Sequence, residues 1–167
     1  MSKRTIVNLC LISLVVFLTM YINKNPVRVI NVINISTLTP EEVDTIVIQR
    51  HDESQIILEK IDQNWLVSSP VEGKADQDKL TLLLRLLSIK SQHQHKISEQ
   101  KQLNRYELLN PKVSLFLNDQ QFDFGSTNDF NQLRYVLHNG TVHSVKDITH
   151  HLLISDVETF ISKKNPE

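Results

Sequence analysis

Leu133-Arg134-Tyr135-Val136-Leu137-His138-Asn139-Gly140-Thr141-Val142-His143-Ser144-Val145 is the stretch on which the fold turns. Two β-rich runs flank Asn139-Gly140. A type I′ turn needs positive φ at both central residues, which Asn and Gly tolerate, and its twist suits paired strands. Leu133–His138 and Thr141–Val145 are therefore predicted to form an antiparallel hairpin.

The same alternation of strand and turn runs through the rest of the domain. Thr45–Arg50 is read as a strand, His51-Asp52-Glu53-Ser54 as a turn and Gln55–Ile61 as a second strand. Asp62-Gln63-Asn64 turns the chain again into Trp65–Ser68, which Pro70 ends, giving an antiparallel meander. Val113–Leu117 and Gln121–Phe124 are strands joined across Asn118-Asp119.

Helices punctuate this pattern. Thr39-Pro40-Glu41-Glu42 carries an N-cap, a proline at the first helical position and acids in the first turn. Asp76 caps a helix to about Ile89, with Leu80, Leu83, Leu84 and Leu87 at i, i+3, i+4, i+7. Leu82, Leu86 and Ile89 widen that stripe. The wide stripe fits a helix laid on a sheet with a broad buried face; the competing reading is a second apolar face for a partner protein. Ser91–Lys101, rich in Gln, His and Lys, is expected to be a solvated loop or frayed helix. Leu103–Leu109 is a turn of helix stopped before Pro111. Ser155-x-x-Glu158 matches a capping box for a short C-terminal helix with Val157, Phe160 and Ile161 on one face.

The first residues are of a different kind. Lys3 and Arg4 precede Thr5–Ile22, a charge-free apolar run interrupted only by small or neutral polar residues such as Asn8, Ser13 and Thr19. A helix needs roughly 17–25 such residues to cross a bilayer core, and inside lipid it satisfies its own backbone. Basic residues before the run favour a cytoplasmic N-terminus. No small-x-small site follows it, so cleavage is not expected, and Val7-Asn8-Leu9-Cys10 lacks the small residue a lipoprotein signal would place before its cysteine. Cys10 is the only cysteine, so the domain has no internal disulfide.

The fold class expected is α+β: an N-terminal transmembrane helix, then a small domain of antiparallel meander and hairpins with one main Leu-rich helix and a short C-terminal helix. Residues 1–4 form the cytoplasmic N-terminus, 5–22 the signal anchor, 23–38 a connector interrupted at Asn25-Pro26, 39–162 a periplasmic domain and 163–167 a flexible tail. A single crossing of the membrane, with the domain exported, is expected from this reading.

Composition narrows the function classes. The chain has 167 residues and net charge -1, which gives no basic field for nucleic acid. With Gly 3 and Pro 5 it is not a low-complexity chain. His 7 is a high count, and His93-x-His95 and His150-His151 are the histidine pairs to weigh as metal ligands. Neither has a nearby carboxylate or cysteine in sequence, and adjacent residues such as 150 and 151 point to different sides. There is no Gly-x-Ser-x-Gly elbow and no phosphate-cradling Gly-rich loop. Glu41-Glu42 is explained by helix-start electrostatics. No catalytic, cofactor-binding or metal residue is assigned, and no cofactor is expected.

Several spaced elements together carry a resemblance. Leu38-x-Pro40-Glu41-Glu42-Val43 precedes Ile46-x-Ile48-x-Arg50, then Ile57-Leu58-x-Lys60, Trp65-Leu66-Val67, Pro70, Ala75-Asp76 and the Leu-rich helix. Tyr106-Glu107-Leu108-x-x-Pro111, Phe122-x-Phe124-Gly125, and Tyr135 before Val142 and Val145 follow. In this order the chain resembles the bacterial domain-of-unknown-function 4340 family over roughly Leu38 to Phe160. That family usually has Tyr-Gly-Leu where this chain has Tyr106-Glu107-Leu108, and many of its members are longer, with the unit duplicated. The resemblance implies an N-terminally anchored envelope protein of a bacterial inner membrane, associated with exporter-type transporters, and it carries over no catalytic residues. Gly125 and Pro111 are read as backbone-geometry positions, at a strand end and after a helix stop.

Three functions are thus expected in order: a non-enzymatic accessory or scaffold subunit of an envelope complex, linked to an ABC-type exporter; a periplasmic ligand-binding module; and an envelope hydrolase whose site sequence does not reveal. The partners are the bilayer, through residues 5–22, and an envelope or transporter protein.

Overall fold

The computed structural model describes residues 3–24, 33–51 and 53–163. The readings made for Met1 and Ser2, for Asn25–Val32 of the connector, for Asp52 and for the tail from residue 164 lie outside the described residues. The chain divides into two units, with the boundary between Asn31 and Val32.

The first unit is one helix, α1 (Lys3–Lys24), of 22 residues. It contains the whole apolar run, and from Lys3 to Tyr21 its side chains are exposed. It is long and apolar enough to cross a membrane. Two of its polar side chains turn back on the helix itself: Ser13 Oγ donates to the Cys10 carbonyl at 3.2 Å and Thr19 Oγ1 to the Val16 carbonyl at 2.9 Å. An apolar surround then meets few open hydrogen-bonding groups.

The second unit is an antiparallel sheet with short helices. Its strands are β1 (Ile33–Asn34), β2 (Thr45–Arg50), β3 (Ile56–Ile61), β4 (Asn64–Ser69), β5 (Gly73–Lys74), β6 (Lys90–Ser91), β7 (His93–Lys96), β8 (Val113–Leu117), β9 (Gln120–Thr127), β10 (Leu133–His138) and β11 (Thr141–Lys146). Its helices are α2 (Gln77–Leu84) and α3 (His150–Leu153). Nine strands form one sheet in the order β5-β4-β3-β2-β8-β9-β10-β11-β7, and β1 pairs with β6 in a second, two-stranded ribbon. Every pairing is antiparallel. The sheet is two meanders, β2 to β5 and β8 to β11, joined where their first strands pair. Each meander is preceded by a 3₁₀ turn, Pro40–Glu42 and Gln100–Tyr106, and followed by a short helix.

Register puts the apolar residues on one face. Ile46 and Ile48 of β2 face Leu117 and Leu115 of β8 on one side and Leu58 and Ile56 of β3 on the other. All six are buried, together with Trp65, Val67, Phe122, Phe124 and Val136. Against them pack Leu80, Leu83 and Leu84 of α2, then Leu86 and Leu87 of a 3₁₀ extension (Arg85–Ser88), Leu152 and Leu153 of α3, and Phe160. Burying one such side chain stabilises the fold by about 1.5–3 kcal/mol. The wide leucine stripe is thereby accounted for: Leu82 and Ile89 also pack on this core, and the helix has a broad buried face.

The turns follow from the residues in them. Asn139 and Gly140 have φ of 46° and 70°, as a type I′ turn requires. Asp62 and Gln63 make the β3–β4 turn with positive φ. Asn118, at φ 54°, turns β8 into β9 and also ties the two meanders together. Its Oδ1 accepts from the Asp44 and Thr45 backbone N–H groups at 2.9 and 3.1 Å, and its Nδ2 donates to the Glu42 carbonyl at 2.8 Å. Asp76 caps α2 by accepting from the Asp78 and Lys79 N–H groups. The Glu42 carboxylate accepts from the Thr39 N–H and hydroxyl at 2.8 and 3.0 Å. Those two bonds hold its carboxyl below the usual carboxylate range.

Three local readings are corrected. Ser91–Lys101 is neither loop nor frayed helix at its centre: His93–Lys96 is the edge strand β7 on β11. Its four side chains are all exposed, so no buried position imposes an apolar period, and backbone pairing alone makes the strand. A charged and polar strand suits a sheet edge. The Ser155-x-x-Glu158 capping box does not form; Asp156 precedes the C-terminal 3₁₀ turn Val157–Phe160, and the Ser155 hydroxyl donates to the His151 carbonyl at 2.6 Å, where it closes α3. Gly125 is not at a strand end. Arg134 faces Thr127 while Val136 faces Phe124, so β9 advances one residue more than β10 and runs on through a bulge to Thr127.

Candidate functional site

A cleft lies beside the bulge. A bulge leaves residues unpaired and re-aims side chains. Here it follows Phe124 at the point where the 3₁₀ turn Gln100–Tyr106 crosses the sheet. A Cβ built on Gly125 would lie 2.1 Å from the Tyr106 carbonyl oxygen and 2.9 Å from Leu108 Cγ. The absence of a side chain lets the Tyr106–Leu108 backbone press onto the strand. Tyr106 packs beside Tyr135 with ring centroids 4.7 Å apart, and Ser126 Oγ donates to the Tyr106 carbonyl at 3.3 Å.

Beside this contact lies a cleft of about 340 Å³, walled by Asn104, Glu107, Asn110, Lys112, Arg134 and His150 over Phe124 and Gly125. Arg134 is its fixed cation. Nε donates to Asp147 Oδ2 at 2.8 Å and Nη1 to the Gly125 carbonyl at 2.6 Å. Its side chain is 15% exposed, and among the described residues Nη2 makes no hydrogen bond. Planar, bidentate donors of this kind suit carboxylates. Asp147 also accepts from the His150 backbone N–H at 3.3 Å, which ties the start of α3 to the same arginine. Burial pushes the His150 imidazole below its ordinary value, with Arg134 and His151 acting in the same sense and Asp147 against them. At neutral pH it is an uncharged donor and acceptor.

Glu107 also lines the cleft. It ends the 3₁₀ turn in the left-handed region, at φ 56° and ψ 34°. Its N–H donates to the Asn104 carbonyl at 3.3 Å and the next N–H, of Leu108, to the Leu103 carbonyl at 3.0 Å. This is a helix-end geometry for which glycine is the favoured residue.

The histidine pairs separate in space. His93 and His95 lie on the exposed edge strand β7, beside Tyr106, Asn128 and Tyr135. His150 packs 6.3 Å from the Phe124 ring, while His151 is exposed on the outside of α3. No three His, Cys, Asp or Glu side chains converge among the described residues. Trp65 is in the core, not on a ligand surface.

Two other histidines, unmarked in sequence, are buried on the β10–β11 hairpin: His138 and His143, at 5% and 6% exposure. His138 Nδ1 lies 2.9 Å from the Gln121 carbonyl. A carbonyl only accepts, so Nδ1 carries the proton, and Nε2 accepts from Asn139 Nδ2 at 3.0 Å. Its ring stacks on Phe122 with centroids 4.2 Å apart. His143 Nδ1 is buried with no hydrogen-bond partner. Burial, and secondarily the nearby His138, hold the His143 imidazole below its ordinary value.

A stability profile follows. Above the unfolded-state value of about 6.5 both states leave His143 neutral. As pH falls below it, the unfolded chain binds a proton that the folded chain resists, so stability drops. His150 acts in the same direction. The urea midpoint is expected to be lower at pH 5.5 than at pH 7.5, and His143→Leu should flatten that difference. A wild-type midpoint unchanged across the interval would overturn the reading.

The sequence did not single out Arg134, Glu107 or Lys112 as a cluster. Arg134 sits in an alternating strand where an outward charge is ordinary. Only the register shift of β9 against β10 and the crossing of residues 104–112 bring the three together.

An N-terminal apolar helix, long enough to cross a membrane, ahead of one antiparallel sheet with short helices defines an α+β protein. The family model for a domain of unknown function, DUF4340, matches residues 65–165, and the chain belongs to this family. No curated protein and no solved structure matches it.

Proposed function

We propose that the chain is a single-pass membrane protein whose α+β domain serves as a non-enzymatic accessory or scaffold subunit of a cell-envelope complex, linked to an ABC-type exporter. The N-terminus is cytoplasmic and the domain periplasmic. The observation that carries this reading is α1: its described side chains are exposed from Lys3 to Tyr21 while the second unit closes its core without them. An apolar helix of this length that its own fold leaves uncovered has lipid as its natural solvent. Lys3 and Arg4 at its start set the orientation.

Two features support a binding role over a chemical one. The cleft over Gly125 is open to solvent, and Ser126, which lines it, spends its hydroxyl on the Tyr106 carbonyl. Affinity purification of the tagged full chain from membranes in mild detergent is expected to recover a permease or ATPase component in stoichiometric amount. Recovery of the chain alone, under conditions that preserve other envelope complexes, would count decisively against it.

A further inference from the structure

We propose that the cleft between Arg134 and Glu107 is a binding site for a small zwitterion of the α-amino acid class, with the ligand carboxylate on Arg134 and its ammonium on Glu107. The site is independent of the membrane reading and of any protein partner.

The cation side is built and held. Arg134 has two of its three nitrogens committed, one to Asp147 and one to the Gly125 carbonyl, which fix the guanidinium plane. The third, Nη2, is left for a ligand in the cleft that Arg134 lines. Asp147 offsets the charge without occupying that nitrogen, so an incoming carboxylate meets a donor that is oriented before binding. Lys112 on the rim adds a second positive charge, and the neutral His150 and the Asn104 and Asn110 amides supply further polar contacts.

The anion side is the informative one. Glu107 lines the same cleft while its backbone sits at φ 56°. A side chain in that conformation is strained relative to the right-handed region, and glycine would remove most of the strain. The turn itself gives no return for a carboxylate, since the hydrogen bonds that close it run from backbone to backbone. Glu107 and Arg134 line one cleft of about 340 Å³, room for a single amino acid and little more.

Opposite charges on the two walls select among ligands. A simple carboxylate satisfies Arg134 and meets repulsion from Glu107. A simple amine does the reverse and meets Arg134 and Lys112. A dianionic ligand such as inorganic phosphate has no partner on the Glu107 side. Only a molecule with both charges close together matches both walls.

The test uses the full chain in mild detergent and isothermal titration with each standard L-amino acid, acetate, n-butylammonium and inorganic phosphate. Saturable binding is expected for one or more amino acids and for none of the three single-sign probes. Glu107→Gly should weaken that binding by about tenfold or more while raising the urea midpoint, because it removes the charge and the backbone cost together. Glu107→Gln should weaken binding similarly without the gain in midpoint. Absence of saturable binding by every amino acid at tens of millimolar, equal binding of acetate or phosphate, or undiminished binding by Glu107→Gly would each overturn the proposal.

Discussion

Gly125→Ala is expected to destabilise the domain by about 3 kcal/mol or more, at the upper end of what overpacking produces. The added Cβ would stand 2.1 Å from the Tyr106 carbonyl oxygen, which is a backbone atom. A flexible side chain could swing away; this carbonyl is fixed by the turn Gln100–Tyr106 and also accepts from Ser126. Relief therefore means lifting the Tyr106–Leu108 segment off β9, and with it the wall of the cleft and the tyrosine pair. Single domains are stable by only about 5–15 kcal/mol, so a loss of this size is a large part of the total. Urea unfolding of the full chain in mild detergent, followed through its one tryptophan, the buried Trp65, measures it directly. Adding Leu108→Ala should not rescue the variant, because the tightest contact is with backbone. A midpoint within about 1 kcal/mol of wild type would show that the segment yields easily and that glycine is incidental there.

This contact explains why some of the fold was legible in sequence and some was not. Features that depend on a few adjacent residues were readable: the Asn139-Gly140 turn, the Asp76 cap and the leucine stripe each carry their geometry locally. The edge strand β7 was not, because His93–Lys96 have no buried side, and a strand without a buried side leaves no period. The capping box at Ser155 failed for a related reason. Its hydroxyl donates to the carbonyl of His151 in α3, immediately upstream, and so is not spent on capping the turn that follows.

The resemblance motifs gain a physical meaning from the structure. Tyr106-x-Leu108 and Phe124-Gly125 lie apart in sequence and read there as separate signals. They are two sides of one close approach. Glu107, where the family usually has glycine, sits at the positive φ that glycine favours, so the departure falls on a backbone constraint and is not a neutral exchange. The candidate cleft was invisible because no short segment contains it. Its walls come from residues 104–112, 124–126, 134 and 150, assembled by a bulge that periodicity does not announce. The topology at the sheet centre was equally hidden: β2 pairs with β8, more than sixty positions on, and nothing local to either strand names the other.

The largest effect on where the protein resides is expected from Leu11→Arg combined with Leu14→Arg. Both positions lie in the middle of α1 and are exposed along it. On insertion scales leucine at a helix centre is slightly favourable and arginine costs about 3 kcal/mol, so the pair shifts insertion by roughly 6 kcal/mol or more. Among the described residues no second helix is long and apolar enough to shelter the charges, and residues this far from the helix ends reach the interfaces poorly. The double variant should leave carbonate-washed membranes, where the wild-type chain remains. The second unit should survive the change, since its core contains no α1 residue; Trp65 emission and the urea midpoint ought to match those of the wild type. That combination separates two roles of the helix. If the released chain still captures the proposed envelope partner, α1 supplies only an address and the binding surface lies wholly in the domain. If capture is lost with the fold intact, membrane tethering itself contributes, through the effective concentration it imposes on two proteins held in one plane. Persistence of the double variant in washed membranes would instead show that α1 is not the anchor.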